Sequence, residues 1–198
     1  MGCIPRKGIE FVVGLDVGRP AEPTALAVLA LSPDRQRPPF ALRHLQRFPP
    51  GTPYPEVLTA VTELLRSQRL AGRTWLLADY TGAGWPVLTL FARSMHSTVT
   101  CLFSAVLLTA SGTTVPNHRP GLAIPKADVV GVLQVLLQTR RLRVAELPET
   151  ATLVRELAAY RPKVVLSTTD TTTWREGAHD DLVLAVGLAA WGAEAVTR

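Results

Sequence analysis

Two short apolar segments that each end on an aspartate constrain the fold most strongly. The first is FVVGLDV at residues 11–17, in which the apolar strand ends on Asp16, and the second is WLLA at 75–78, which Asp79 follows directly. Between them, residues 56–70 carry apolar side chains at helical spacing. A strand, a helix and a strand in this order normally place the two strands side by side and parallel. We therefore expect Asp16 and Asp79 to be neighbours at the carboxyl ends of adjacent strands, where open α/β sheets bind ligands.

The rest of the pattern predicts a mixed α/β sheet flanked by helices. Apolar segments at 24–31 and 40–48 follow the first strand across short turns, which indicates an antiparallel three-strand meander. Spacing predicts further strands at 98–108 and 163–167, and helices at 86–94, 125–139, 149–160 and 182–196. We interpret residues 111–124 as a loop, RRLR at 140–143 as the end of a helix, and 168–173 as a turn or exposed hairpin.

Length and cysteine content favour one cytoplasmic domain. A chain of 198 residues can bury a core without disulfides, so we expect a single domain over 1–198 with its core at about 11–192. Cys3 and Cys101 lie far apart and outside any Cys/His cluster, which predicts neither a disulfide framework nor a zinc site. The N-terminal segment has no signal features, and the longest uncharged stretch, 97–117, is too rich in Ser, Thr, Gly and Pro for a membrane span.

Acidic residues at three separate elements indicate a cation site. Asp16 and Asp79 end strands, and Asp180 and Asp181 directly precede the apolar run of the last helix. Taken singly, an aspartate after a strand is a common turn residue, and an aspartate before a helix is a common cap. Capping therefore explains one of Asp180 and Asp181. Together they bring carboxylates to one edge of the sheet, where mutual repulsion calls for a cation. Mg²⁺ or Mn²⁺ prefers oxygen ligands, and two such ions can promote phosphodiester hydrolysis.

Four segments resemble the nuclease domain of the large terminase subunit of tailed bacteriophages, which has a ribonuclease H-like fold. They are GLDVGRPAEPTALAVL (14–29), LLADYTGAGWPV (76–87), IPKADVVGVLQVLLQTRRL (124–142) and TTTWREGAHDDLVLAVGLAAW (171–191). The resemblance implies a metal-dependent DNA endonuclease that uses two Mg²⁺ or Mn²⁺ ions and cuts phage DNA during genome packaging. It places the first metal-binding acid on Asp16, the second on Asp79 and the third on the pair Asp180 and Asp181.

The same resemblance assigns several supporting residues. Gly82 and Gly84 match the turn after the second acid, and His179 matches the histidine before the third. Lys126 and Arg175 stand where basic residues could reach a DNA phosphate, although solvated side chains near helix ends are an equally good interpretation. A net charge of +5 is compatible with double-stranded DNA as the partner, bound mainly through its phosphates.

The sequence also departs from the complete packaging motor. It contains no G-x-x-x-x-G-K-[ST] loop, so we expect no ATPase domain and, for packaging, a separate ATPase or portal as a partner in a bacterial or phage-infected cell. Tyr80 stands where the family usually has a small residue. Two alternatives stay open: a nuclease similar to Holliday-junction resolvases, and a non-catalytic DNA-binding or packaging-partner module. Sugar kinases and actin-like ATPases share the D-x-G start but need two lobes, for which the chain is too short.

Overall fold

One mixed sheet of eight strands organises the residues that the computed structural model describes, which are 8–33, 40–98, 101–110, 112–118, 121–160 and 180–197. The strands are β1 (Phe11–Asp16), β2 (Thr24–Ala30), β3 (Phe40–Phe48), β4 (Thr74–Asp79), β5 (Leu102–Thr109), β6 (Val115–His118), β7 (Gly121–Pro125) and β8 (Leu142–Val144). Their order in space is β6-β7-β5-β4-β1-β2-β3-β8. The helices are α1 (Tyr54–Arg66), α2 (Trp85–Thr98), α3 (Lys126–Gln138), α4 (Thr150–Ala159) and α5 (Asp181–Thr197).

The strand directions agree with the sequence pattern. Strands β1, β2 and β3 form the predicted antiparallel meander. The chain then crosses through α1 and returns as β4, which pairs with β1 in parallel. Strand β5 adds in parallel to β4, and β7 in parallel to β5. The prediction that the two aspartate-terminated strands are parallel neighbours is therefore confirmed.

Helices cover both faces of the sheet, which is why its central strands are apolar on both sides. On one face, Val13 and Leu15 of β1 belong to a core shared with α1 and α2. On the other face, Val12 belongs to a core shared with α3, α4 and α5. Alternate residues of β1 therefore contact different helices, and Asp16, four residues after Val12, projects toward the α3, α4 and α5 side.

Helix α5 packs very closely on β1. A Cβ atom added to Gly14 would lie 2.0 Å from the carbonyl oxygen of Ala185, so the absence of a side chain at Gly14 permits this approach. On α5 itself, a Cβ at Gly187 would lie 2.7 Å from a methyl carbon of Val129 in α3. The apolar helix predicted at the end of the chain is thus packed between the sheet and α3. None of the helices described here is long and apolar enough to cross a lipid bilayer.

Two predictions about the middle of the chain are wrong. Residues 111–124, interpreted as a loop, contain β6 and most of β7. The cluster RRLR does not simply end a helix, because α3 ends at Gln138, Arg140 turns the chain with φ of 55°, and Leu142 begins the edge strand β8. Strand β5 also begins later than predicted, at Leu102. The predicted strand at 163–167 and the turn at 168–173 lie outside the described residues.

Candidate active site

Asp16 and Asp79 are direct partners in the register of β1 and β4. In-register residues of adjacent strands project to the same face, so both carboxylates lie on the face that α5 covers. Asp16 is 3% exposed and Asp79 is 2% exposed. Burying two carboxylates side by side is unfavourable unless hydrogen bonds or cations compensate for the lost hydration.

The turn after β4 holds the carboxylate of Asp79. Its Oδ1 accepts a hydrogen bond from the backbone N–H of Thr81 at 2.8 Å and another from the Thr81 hydroxyl. That hydroxyl oxygen in turn accepts the N–H of Leu108, at 2.8 Å. Burial raises the pKa of Asp79 to about 6, although these hydrogen bonds and the positive charge of Lys126 act to lower it. Gly84 completes the turn with φ of 81°, in the left-handed region that glycine accepts readily.

The packing of α5 brings its first residues to the same end of the sheet. Ala185 and Ala189 lie over Gly14, while Gly192 lies over Val12. The helix therefore runs antiparallel to β1, and its N-terminus lies toward the end of the strand that carries Asp16. Asp180 and Asp181 consequently reach the aspartate-bearing edge of the sheet from above.

Asp180 contacts a basic residue on the β7 side of the site. Its Oδ2 accepts a hydrogen bond from Lys126 Nζ at 2.5 Å, in an ion pair whose side chains are 26% and 18% exposed. Lys126 begins α3 directly after β7, and its ammonium lies 5.9 Å from the centroid of the Tyr160 ring. Since Lys126 also lowers the pKa of Asp79, its charge acts on two of the predicted acids.

Asp181 instead forms a buried ion pair on the β3 side. Arg47 donates from Nε to Asp181 Oδ2 at 2.8 Å and from Nη2 to Asp181 Oδ1 at 2.5 Å. Arg47 Nη2 also lies 2.9 Å from Oε1 of Glu156, a residue of α4. This fork contact matches the planar geometry in which a guanidinium binds a carboxylate.

Glu156, rather than an aspartate of the pair, caps helix α5. Its Oε2 accepts hydrogen bonds from the backbone N–H groups of Leu182, at 3.1 Å, and Val183, at 3.3 Å. The expectation that Asp180 or Asp181 caps these groups is therefore wrong, because an acceptor from α4 satisfies them. Burial and the charge of Asp181 raise the pKa of Glu156 to about 7, whereas Arg47 and the two N–H groups lower it.

Sequence reasoning missed both Arg47 and Glu156. The available signal was a charged residue on the same face of its element as a core leucine. Arg47 follows Leu45 by two residues in a strand, and Glu156 follows Leu153 by three residues in a helix. Two other predicted site residues, Arg175 and His179, lie outside the part of the chain that the structure describes.

The donor chemistry of this edge fits a hard divalent cation. Asp16, Asp79 and Asp180 offer carboxylate oxygens, the ligands that Mg²⁺ and Mn²⁺ prefer. The residues described do not, however, include three or more His, Cys, Asp or Glu side chains already grouped to hold a metal ion. Asp180 contacts Lys126, and Asp181 contacts Arg47. Asp16 and Asp79, in contrast, are brought together by the pairing of β1 with β4.

Comparison with known proteins identifies the fold. The sequence matches no family model and no curated protein. Among solved structures, the chain is similar to the large terminase nuclease domain of P22, with a TM-score of 0.55 and 15% identity over 93% of this chain and 80% of that one. It is also similar to the manganese-soaked terminase nuclease domain of human cytomegalovirus, with a TM-score of 0.55 and 11% identity over 91% and 81% of the two chains. The predicted ribonuclease H-like fold is thus confirmed.

Proposed function

We propose that this chain is a metal-dependent DNA nuclease that hydrolyses phosphodiester bonds with a cluster of aspartates. The observation that carries the proposal is the in-register, buried pair Asp16 and Asp79 at the carboxyl edge of the sheet. A purely structural aspartate at a strand end can face water, where its charge is hydrated. Two buried neighbours gain stability from a bound cation, which makes a cation the natural partner of this pair.

In this proposal Asp16 and Asp79 hold Mg²⁺ or Mn²⁺, and Asp180 or Asp181 supplies the third carboxylate. Two such ions, when bound, activate a water molecule and stabilise the leaving oxygen of the phosphodiester. The chain contributes orientation: Thr81 fixes the carboxylate of Asp79, and the close packing of α5 on Gly14 fixes the height of the helix start above the sheet. Lys126, once released from Asp180, can contact a phosphate of the substrate.

The partner in this proposal is double-stranded DNA, contacted mainly through phosphates by Lys126, Arg175 and His179. The net charge of +5 supports such binding, whose affinity falls as salt concentration rises. The shared fold with terminase nuclease domains favours cutting during genome packaging, alongside a separate ATPase or portal. We place this activity in the cytoplasm and assign it to a single domain.

A cleavage assay with a matched pair of variants tests the proposal. We expect plasmid DNA to be degraded with Mn²⁺ or Mg²⁺ and to stay intact in EDTA. Asp16→Asn should abolish cleavage while the protein stays folded by circular dichroism. Asp128→Asn makes the same chemical change on α3, at a residue whose carboxylate contacts Thr114 at 3.3 Å, and should cleave like the original chain.

Two results would count against the proposal, the first against its site and the second against nuclease activity. If Asp16→Asn still cleaves, the assigned aspartates are not the catalytic site. If the unaltered chain binds DNA but leaves plasmid intact at high protein and metal concentrations, the non-catalytic DNA-binding module is the better description.

A further inference from the structure

The ion-pair cluster formed by Arg47, Glu156 and Asp181, here the Arg47 cluster, joins three elements at the start of α5. The side chains of Asp181 and Glu156 are each 6% exposed, and that of Arg47 is 20% exposed. One guanidinium therefore contacts two buried carboxylates, from α4 and α5, while it extends from β3. Removing one partner from such a group leaves an uncompensated buried charge, so its geometry resists displacement.

The Arg47 cluster also fixes the rotation and position of the helix start. Glu156 binds two N–H groups of the first turn of α5, and Arg47 binds the side chain of the first helical residue, Asp181. These contacts constrain both the axis of the helix and the direction in which residue 181 projects. The direction of the preceding residue, Asp180, is constrained at the same time, because it is one peptide bond away.

The two aspartates consequently face opposite sides of the site. In the sheet, Asp79 pairs with Asp16, Asp16 with Ala25, and Ala25 with Arg47. Two strand spacings separate Arg47 from Asp16, which is roughly 10 Å between their backbones. Asp181 is held on this outer β3 side, whereas Asp180 contacts Lys126, which follows β7 beyond Asp79. Asp180 is therefore directed toward the side of the sheet where the acid pair lies.

The geometry points to a division of roles: Arg47 and Glu156 are positioning residues that keep Asp181 out of the metal site and present Asp180 as its third carboxylate. This inference rests on the proposed function, because it concerns the same metal. It assigns the adjacent aspartates different tasks, since Asp181 is bound by a guanidinium in a fork contact, whereas the contact that the described residues make with Asp180 comes from a lysine, which a divalent cation can displace.

Mn²⁺ binding measured by isothermal titration calorimetry, without substrate, tests the division. We expect Asp180→Asn to weaken Mn²⁺ binding at least about tenfold, and Asp181→Asn, which keeps one acceptor for Arg47, to weaken it only about two- to threefold. Arg47→Lys keeps the charge but loses the fork contact, so we expect it to weaken Mn²⁺ binding about tenfold although residue 47 touches no metal. Glu156→Gln, which retains an acceptor for the helix N–H groups, should have a smaller effect than Arg47→Lys.

The possible outcomes separate this inference from the proposed function. Equal or greater loss of Mn²⁺ affinity in Asp181→Asn than in Asp180→Asn would overturn the division, because Asp181 would then be a ligand. A lower melting temperature of Arg47→Lys with unchanged Mn²⁺ affinity would make Arg47 merely structural and overturn the positioning role. If the unaltered chain binds no Mn²⁺, or if Asp16→Asn binds it equally well, the proposed metal site itself is wrong.

Discussion

Replacing Gly14 with alanine tests whether the contact between β1 and α5 sets the geometry of the candidate site. The added Cβ would lie 2.0 Å from the carbonyl oxygen of Ala185 and 2.8 Å from the backbone nitrogen of Ala189. Both neighbours are backbone atoms of a buried helix, so no side-chain rotation can relieve the clash. Reaching the 3.4 Å of an ordinary contact from 2.0 Å requires a relative shift of about 1.4 Å.

The expected loss of stability follows from this shift. Overpacking a well-filled core typically costs about 1–3 kcal/mol, and we place Gly14→Ala at or above the upper end, about 3 kcal/mol, because backbone must move against backbone. For a chain of this size, 3 kcal/mol corresponds to a fall in melting temperature of roughly 6–12 °C. The displaced helix start should also weaken Mn²⁺ binding, since Asp180 precedes α5 directly.

Urea unfolding provides the measurement, and Gly131→Ala is the matched control. Gly131 lies in α3 with no atom within 4 Å of an added Cβ, so alanine there should raise the free energy of unfolding by about 0.5–1 kcal/mol through helix propensity. If the free energy of unfolding of Gly14→Ala is within about 1 kcal/mol of that of the original chain, the close approach of α5 to β1 does not constrain the fold.

Two further substitutions test buried polar groups. In EDTA, Asp79→Asn should stabilise the protein by about 1–3 kcal/mol at pH 7.5 and by little near pH 4. Burial raises the pKa of Asp79 in the folded protein to about 6, above its value in the unfolded chain. The free energy of unfolding of the original chain therefore falls as pH rises between these two pKa values, and the Asn variant does not share this loss. A stability difference between the two proteins that is independent of pH in urea titrations would contradict the prediction. Ser104→Ala removes the acceptor, at 3.0 Å, of the buried Trp75 indole N–H, and should cost about 1–3 kcal/mol in the same assay. Ser104→Thr, which keeps the hydroxyl, is its control, and an equal loss in both variants would assign the effect to packing.

The central sheet was predictable because its signals are local and repeated. Each central strand is a short apolar run between turn residues, and the crossover rule then fixes the direction of β4 relative to β1. The adjacency of Asp16 and Asp79 follows from that topology alone, without any knowledge of side-chain contacts. Residues at the ends of neighbouring parallel strands are therefore among the site features that a sequence can indicate.

The outer strands could not be predicted in the same way. Strand β7 is short, begins at Gly121 and ends at Pro125, and its identity as a strand depends on pairing with β5. A Cβ at Gly121 would lie 2.0 Å from the carbonyl oxygen of Ala105, so this glycine permits close packing rather than a loop. Strand β8 has only three residues and exists through its pairing with the start of β3. Such edges are defined by their partners and leave little periodicity to detect.

The capping of α5 illustrates why the remaining site residues were missed. A local rule assigns the free N–H groups of a first turn to a nearby Asp, and the sequence offers two such residues. Tertiary packing instead brings Glu156 from α4 to these groups and leaves both aspartates for charged partners. The relevant contacts join residues 47, 156 and 181, whose separation along the chain is too large for any spacing rule.

Charge at the sheet edge also explains why two aspartates precede an apolar helix. Asp16, Asp79, Asp180, Asp181 and Glu156 bring five carboxylates to this end of the fold, and the contacts described join Arg47 and Lys126 to them. In a chain of net charge +5, negative charge is thus concentrated where the proposed substrate, itself a polyanion, must bind. In these contacts Arg47 is shared by Asp181 and Glu156, and Lys126 contacts Asp180, so two basic groups face five carboxylates; Asp16, Asp79 and Asp180 are the three that we propose to share a metal. A divalent cation at these three residues would remove the repulsion before DNA arrives, and the site should therefore bind metal before, or together with, the phosphodiester.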